Sequence, residues 1–206
     1  LTVDDGYKDN YNILLRELRI KINSLQFIGD FNTYMTYTFT AQIPDDIYGD
    51  PILISGSDSC GFSRTEYLII NERDAKPKVF EIKYNSHCSS FKQAIIHNDL
   101  LAVGHEETFY LFNLNSKTNL LNLKMFGYFG HLYLDHEKFY IADESGIYCI
   151  DSNASVQWHK NSLAIDGVII DKFTEDRIYG RGDWDPPGGW REFTLDKKTG
   201  ISLNLN

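Results

Sequence analysis

Apolar and polar residues alternate along most of this chain in short runs separated by polar turns, the pattern of β-strands. In the stretch from Phe109 to Leu114, Phe109, Leu111 and Asn113 share one face and Tyr110, Phe112 and Leu114 the other. Both faces are largely apolar, as expected for a strand covered on two sides. The same plan recurs in residues 51–84, 99–125, 137–160 and 175–205: strand, tight polar turn, strand ending in Asn or Asp, polar turn, strand. Its anchors are Asn71, Asn113, Asp151 and Asp196, spaced 42, 38 and 45 residues apart. A further strand-like stretch precedes each segment, at 34–41, 91–98, 131–136 and 166–171, making four strands per unit. A period near 40–45 residues with four strands is that of propeller blades. The expected fold is all-β: one domain over 1–206, a propeller-like array of about four antiparallel four-stranded blades. The blades are placed at about 31–85, 89–126, 130–160 and 165–206, with the second built from strands 91–97, 100–104, 108–114 and 119–125. A meandering sandwich is the structural alternative.

The beginning of the chain has another period. Tyr11, Leu14, Leu15, Leu18, Ile22 and Leu25 recur at intervals of three and four, opposite Arg16, Glu17 and Lys21. This predicts a short helix over about 9–19 whose apolar stripe packs on the sheets. Leu18 to Ile22 also alternates with period two and fits a strand.

Composition narrows the class. Tyr and Phe occur 13 times each and 42% of residues are apolar, enough for a substantial core. No run approaches the roughly 18 apolar residues that span a bilayer. The net charge of −9 argues against a nucleic-acid backbone or an anionic membrane as the main partner. Three cysteines, Cys60, Cys88 and Cys149, form no even framework, so free thiols and a reducing, cytoplasmic setting are expected. Cys60 and Cys88 fall in loops of adjacent units. The chain opens on Leu1 rather than Met, so an upstream piece is expected, whether a single Met, a tag or a signal peptide.

The last hundred residues resemble the repeat of pyrroloquinoline-quinone-dependent dehydrogenases and their cofactor-free propeller relatives. GIYCIDSNASVQW has an aromatic strand, Asp151, a short turn and then apolar-Gln-Trp158; WREFTLDKKTG has the Leu-Asp-x-x-Thr-Gly turn, with Asp196, Thr199 and Gly200. Asp accepts backbone N–H bonds in such turns, Gly takes the left-handed conformation that closes them, and Trp158 offers a large contact between blades. The first two units lack the Trp, and the chain is far shorter than a quinone-binding dehydrogenase. The resemblance implies a fold; no cofactor and no calcium site come with it.

Candidate chemistry is sparse. His131 and His136 are five apart and His87 adjoins Cys88, but neither pattern is a metal-ligand motif, so no metal is expected. Cys149, within the strand IYCI, reads as a small packing residue. Arg181-Gly182-Asp183 spells an integrin-recognition tripeptide, although Gly182 and Asp183 read better as the start of the long turn through Gly189. Asn153 heads a glycosylation sequon in a simple turn. Asp143, Asp183 and Asp185 supply carboxylates of the type glycoside cleavage needs, outside any catalytic motif.

A pattern emerges when loops are sorted by the end of the blades they occupy. The loops joining second and third strands, 57–64, 104–107, 143–146 and 182–189, carry Asp58, Glu106, Glu107, Asp143, Glu144, Asp183 and Asp185 against Arg64 and Arg181, a net of −5. Phe62, Phe126, Tyr128, Phe129, Trp184 and Trp190 share that end. The opposite turns are mixed in charge. Trp184 stands between two aspartates on a loop stiffened by Pro186 and Pro187, and long loops on rigid scaffolds often carry function. Aromatic anchors within complementary charge suit a protein-binding face. The expected function is non-enzymatic binding of a basic protein through Glu106, Glu107, Asp143, Glu144, Asp183, Trp184 and Asp185. The general character is similar to that of immunity proteins that neutralise basic bacterial toxins such as nucleases. A carbohydrate-active propeller hydrolase and a structural or small-ligand-binding propeller are the alternatives.

Overall fold

The computed structural model describes residues 35–203 except 56–60, 73–74, 86–87, 89 and 186. The helix expected at 9–19, Asp58, Cys60, His87 and Pro186 lie outside the described residues. Contacts group the chain into two compact units, Leu1–Pro51 with Glu66–Glu81, and Ile52–Thr65 with Ile82–Asn206.

The fold is all-β, with three sheets of four strands and one of three among the described residues. The strands are β1 (Met35–Thr40), β2 (Ile52–Leu53), β3 (Arg64–Glu72), β4 (Lys78–Tyr84), β5 (Lys92–His97), β6 (Leu100–His105), β7 (Thr108–Asn113), β8 (Thr118–Lys124), β9 (Phe129–Asp135), β10 (Lys138–Asp143), β11 (Ile147–Asp151), β12 (Val156–Lys160), β13 (Val168–Phe173), β14 (Arg177–Asp183) and β15 (Trp190–Asp196). Sheets β5-β6-β7-β8, β12-β11-β10-β9 and β13-β14-β15 are meanders in sequence order, all antiparallel. Within the second unit, β9 neighbours both β5 and β13, so the innermost strands of successive sheets lie side by side in a propeller-like arrangement.

Two sheets depart from the expected blade. The first has the order β1-β3-β4-β2: β3 pairs directly with β1, and β2 lies at the far edge beside β4. Ile52–Leu53 is a two-residue strand, too short to stand between neighbours, whereas β3 carries the buried run Leu68, Ile69, Ile70 over nine residues and takes the central place. The last sheet has three strands. Beyond Gly200 its outer edge is met by one bridge, Leu195 to Ser202, and by the Leu203 N–H donating to the Thr194 oxygen at 2.8 Å.

Asn113, Asp151 and Asp196 act as the chemistry of Asx turns requires. Asn113 Oδ1 accepts the N–H of Asn115 and Ser116 at 3.0 and 2.8 Å; Asp151 Oδ1 accepts those of Asn153 and Ser155, both at 2.9 Å. Asp196 Oδ1 accepts from Lys198 N (3.1 Å), Thr199 N (2.8 Å) and the Thr199 hydroxyl (2.6 Å). That hydroxyl, followed by the backbone donors, holds the Asp196 carboxyl below its ordinary value.

Between the last two sheets lies a core of Tyr140, Ile147, Cys149, Trp158, Val168, Ile170, Ile178, Phe193 and Leu195, with Phe173 at its margin. The polar seams between successive sheets are specific. The N–H of Leu132 on β9 donates to the Gln93 side chain on β5 at 3.0 Å, and the N–H of Ile170 on β13 donates to the Tyr133 hydroxyl on β9, also at 3.0 Å. Burial pushes the Tyr133 phenol up to about 12, so it stays protonated.

Candidate binding face

Successive sheets are joined at one end by backbone hydrogen bonds between their turns. The N–H of Met125 donates to Glu107 (2.8 Å), that of Glu144 to Tyr128 (3.0 Å), that of Gly167 to Glu144 (2.7 Å) and that of Asp183 to Gly167 (2.9 Å). This ladder ties the β6–β7, β10–β11 and β14–β15 turns to the connections between sheets. It places Glu106, Glu107, Asp143, Glu144, Asp183, Trp184 and Asp185 at one end of the second unit.

Their exposure differs. Glu106 is only 5% exposed, and its Oε2 accepts the Cys88 N–H at 2.8 Å and faces the Cys88 thiol at 3.5 Å. Burial and then Glu106 push that thiol up to about 11, leaving it protonated and a poor nucleophile. Asp143 is fully buried; its Oδ1 accepts the N–H of Ser145 and Gly146 at 2.9 and 2.6 Å, closing the β10–β11 turn. These two carboxylates therefore hold the scaffold, where an exposed acidic surface was expected. Glu107 pairs with the exposed Lys124 at 3.5 Å, and Glu144 packs half-buried against Gly127. Asp183 Oδ1 accepts the Asp185 N–H at 3.1 Å, and Asp185 itself is exposed.

Trp184 does not project from its loop. Its Nε1–H donates to the Leu163 oxygen at 3.0 Å, and the Arg191 guanidinium lies 5.2 Å from the ring centroid. Of the three carboxylates weighed for glycoside cleavage, Asp143 and Asp183 are both engaged in their own turns. Arg181-Gly182-Asp183 lies within β14 rather than in the turn: Arg181 makes a two-pronged pair with Asp171, both bonds 2.9 Å, and Gly182 is buried. Among the described residues no group of three or more His, Cys, Asp or Glu could hold a metal ion. Among them too, no helix is long and apolar enough to cross a membrane.

The exposed anchors are others. Phe126, in the connection to β9, is 85% exposed; Trp190 and Ile165 are each 47% exposed and Phe91 is 45% exposed. Phe91 stacks on Tyr128 at 6.4 Å, whose hydroxyl donates to the Asp166 carboxylate at 3.0 Å. Phe126 stacks on His159 (centroids 6.2 Å apart, planes 18° from parallel), which stacks on Tyr148 at 3.8 Å and 3°. Sequence alone picked out Phe126 and Trp190 as aromatics of this end but could not separate them from Phe129, which is fully buried. Counting charges by loop also missed Lys92, Lys124 and Lys160, which stand at strand termini of the same end and moderate its acidity.

No protein-family model matches this chain, and no curated protein matches it either. Among solved structures, an acylaminoacyl peptidase from Pyrococcus horikoshii aligns with 84% of this chain and 30% of its own, at 15% identity and a TM-score of 0.38. The chain thus spans less than a third of that peptidase, and a likeness of this degree carries no argument about activity.

Proposed function

We propose that this chain is a non-enzymatic protein-binding module whose turn-bearing end receives a basic protein surface. The specific reading is an immunity-type inhibitor that neutralises a basic bacterial toxin such as a nuclease, acting in a reducing, cytoplasmic setting. The observation that carries the binding reading is Phe126, an aromatic ring 85% exposed beside the half-exposed carboxylates of Glu144 and Glu107. A ring so exposed adds little to the chain's own core, whereas aromatic anchors ringed by charge serve binding: the ring supplies buried area and the carboxylates speed encounter with a cationic surface. Nuclease-type toxins are cationic because their substrate is a polyanion, so an acidic inhibitor can cover them. Within the fold, the chain is read as a cofactor-free relative of the quinoprotein-like propellers, on the Asx turns at Asp151 and Asp196 and on Trp158.

The test is to co-express the chain with the basic domain encoded beside it in its source genome and to measure the association of the two purified proteins. Rescue of growth, with association slowing as salt rises and weakened by Phe126→Ala or by Glu107→Lys with Glu144→Lys, supports the reading. Absence of a complex, or one whose association is insensitive to salt and to all three changes, overturns it.

A further inference from the structure

The last sheet differs from its neighbours in how its strands are buried. Phe109 to Phe112 in β7 and Ile147 to Ile150 in β11 are buried without interruption, so their sheets are covered on both faces. The central strand β14 alternates instead: Ile178, Gly180 and Gly182 are buried, whereas Arg177, Tyr179, Arg181 and Asp183 reach solvent to varying degrees. The register carries this second face across the sheet. Arg181 opposes Ile169 on β13 and Glu192 on β15, Asp183 opposes Trp190, and Tyr179 opposes Lys172 and Thr194.

Trp, Tyr and Arg are the residues on which interface energy concentrates, and Trp190, Tyr179 and Arg181 stand on this face together. Arg181 is also set in place before any contact. Its Nε and Nη2 donate to the two Asp171 oxygens, both at 2.9 Å, and the guanidinium lies 5.6 Å from the Trp190 ring centroid. A side chain so fixed loses little freedom on binding, and Nη1 brings further N–H donors. The side chains of Arg181 and Asp171 are 43% and 40% exposed. Charge then selects the partner. In a chain of net charge −9, this face mixes signs: Lys172, Arg177 and Arg181 stand with Asp171, Asp183 and Glu192, and Asp196, engaged in its own turn, lies at the margin. A strongly basic or strongly acidic surface would meet like charge here. A second copy turned about a two-fold axis sets cation against anion twice over.

We infer that two copies of this chain associate through the outer faces of their β13-β14-β15 sheets, related by a two-fold axis, with Arg181 of each copy set against Glu192 of the other. Three strands of six or seven residues cover about 14 by 23 Å. So small a face makes a weak, reversible dimer that forms at micromolar concentrations and above. It is distinct from the turn-bearing end, apart from Asp183 and Trp190 at their shared border.

Sedimentation equilibrium of the whole chain, from about 5 to about 500 micromolar, tests the dimer. The mass should rise with concentration toward twice that of the chain. Arg181→Glu and Glu192→Arg should each weaken self-association about tenfold or more, since each leaves a row of like charge facing itself. Trp190→Ala, which removes no ion pair, should weaken it as well. Mixed in equal amounts, the two charge reversals should recover a heterodimer, because one then offers only carboxylates on that row and the other only guanidinium groups. Recovery also shows that both variants fold. A parent that stays monomeric over the whole range overturns the proposal, and so does a dimer that none of the three substitutions weakens. Reversals that keep the parent's melting temperature yet stay monomeric on mixing overturn the pairing of Arg181 with Glu192.

Discussion

The indole N–H of Trp158, on the outer strand of one sheet, donates to the carbonyl oxygen of Lys197 in the last turn of the next, 3.2 Å away. The ring also lies over Gly200, whose φ of +71° is left-handed; a methyl group there would come within 2.6 Å of the indole. One side chain therefore fixes both the distance between two sheets and the conformation of the turn that faces it. Trp158→Ala should destabilise the protein by about 3–5 kcal/mol, and Trp158→Phe, which keeps most of the packing, by about 1 kcal/mol from the lost hydrogen bond. Chemical denaturation of the three proteins measures both. A Trp158→Ala midpoint equal to that of the parent would break the argument.

Lys197 contributes a second link from the same turn. Its ammonium pairs with Asp135 at the end of β9, donates to the Thr174 oxygen at 2.8 Å and lies 5.8 Å from the Phe173 ring centroid, with the side chain 13% exposed. Lys197→Met removes the donor and leaves Asp135 Oδ2 facing the exposed His136 ring at 3.1 Å. The expected loss is about 1.5–3 kcal/mol. A double-mutant cycle with Asp135→Asn should return a coupling well above that of an exposed pair such as Glu107–Lys124.

Trp184 and Phe126 should separate cleanly. Trp184 is tied to Leu163 and covered by Arg191, so Trp184→Ala should lower the melting temperature through the loss of packing and of a hydrogen bond. Phe126→Ala should leave the melting temperature within experimental error, since the ring is mostly in solvent. Thermal scans of the two variants suffice, and the reverse order would relocate the exposed anchor.

Burial lowers the affinity of His131 and His159 for a proton, and in His159 the nearby Asp143 carboxylate works partly against it. The sign follows: with the folded value below that of the unfolded chain, near 6.5, the unfolded state binds more protons at mildly acid pH. The stabilising contribution is complete above that unfolded value and is lost as pH falls toward the folded one. Denaturation midpoints should therefore drop between pH 7.5 and about 5, and His131→Gln should flatten that drop. A stability that rose on acidification would contradict the assignment.

What the sequence revealed follows from range. The strands of the second unit were readable because period-two runs such as Phe109–Leu114 and turn anchors such as Asp151 are set within a few residues. The first sheet was not, because whether β3 or a two-residue strand neighbours β1 is decided by competition between distant segments. The binding end was readable as a cluster of turns but not in its burial. Asp143 looked like a solvating turn residue; yet Asp143-Glu-Ser-Gly repeats the logic of Asp196-Lys-Lys-Thr, a carboxylate with backbone donors two and three residues on, and that likeness was the available signal. Trp184 and Phe126 differ by contacts with Leu163 and Arg191 that no local pattern encodes.

The bonds from Leu132 N–H to Gln93 and from Ile170 N–H to Tyr133 have a bearing on how such an array can grow or shrink. In each, the inner strand of one sheet holds out an acceptor that only the following sheet can fill, and the two junctions span 39 and 37 residues, about one repeat. The connector is thus carried by the preceding module. Trimming the array after β12 would strand the Tyr133 hydroxyl and bare the Trp158 ring, so shortened forms should be less soluble, not merely smaller. Duplicating the stretch from β9 to β12 would supply a new acceptor together with each new strand. An engineered extra sheet should dock most readily there, since the copied segment brings its own fastening.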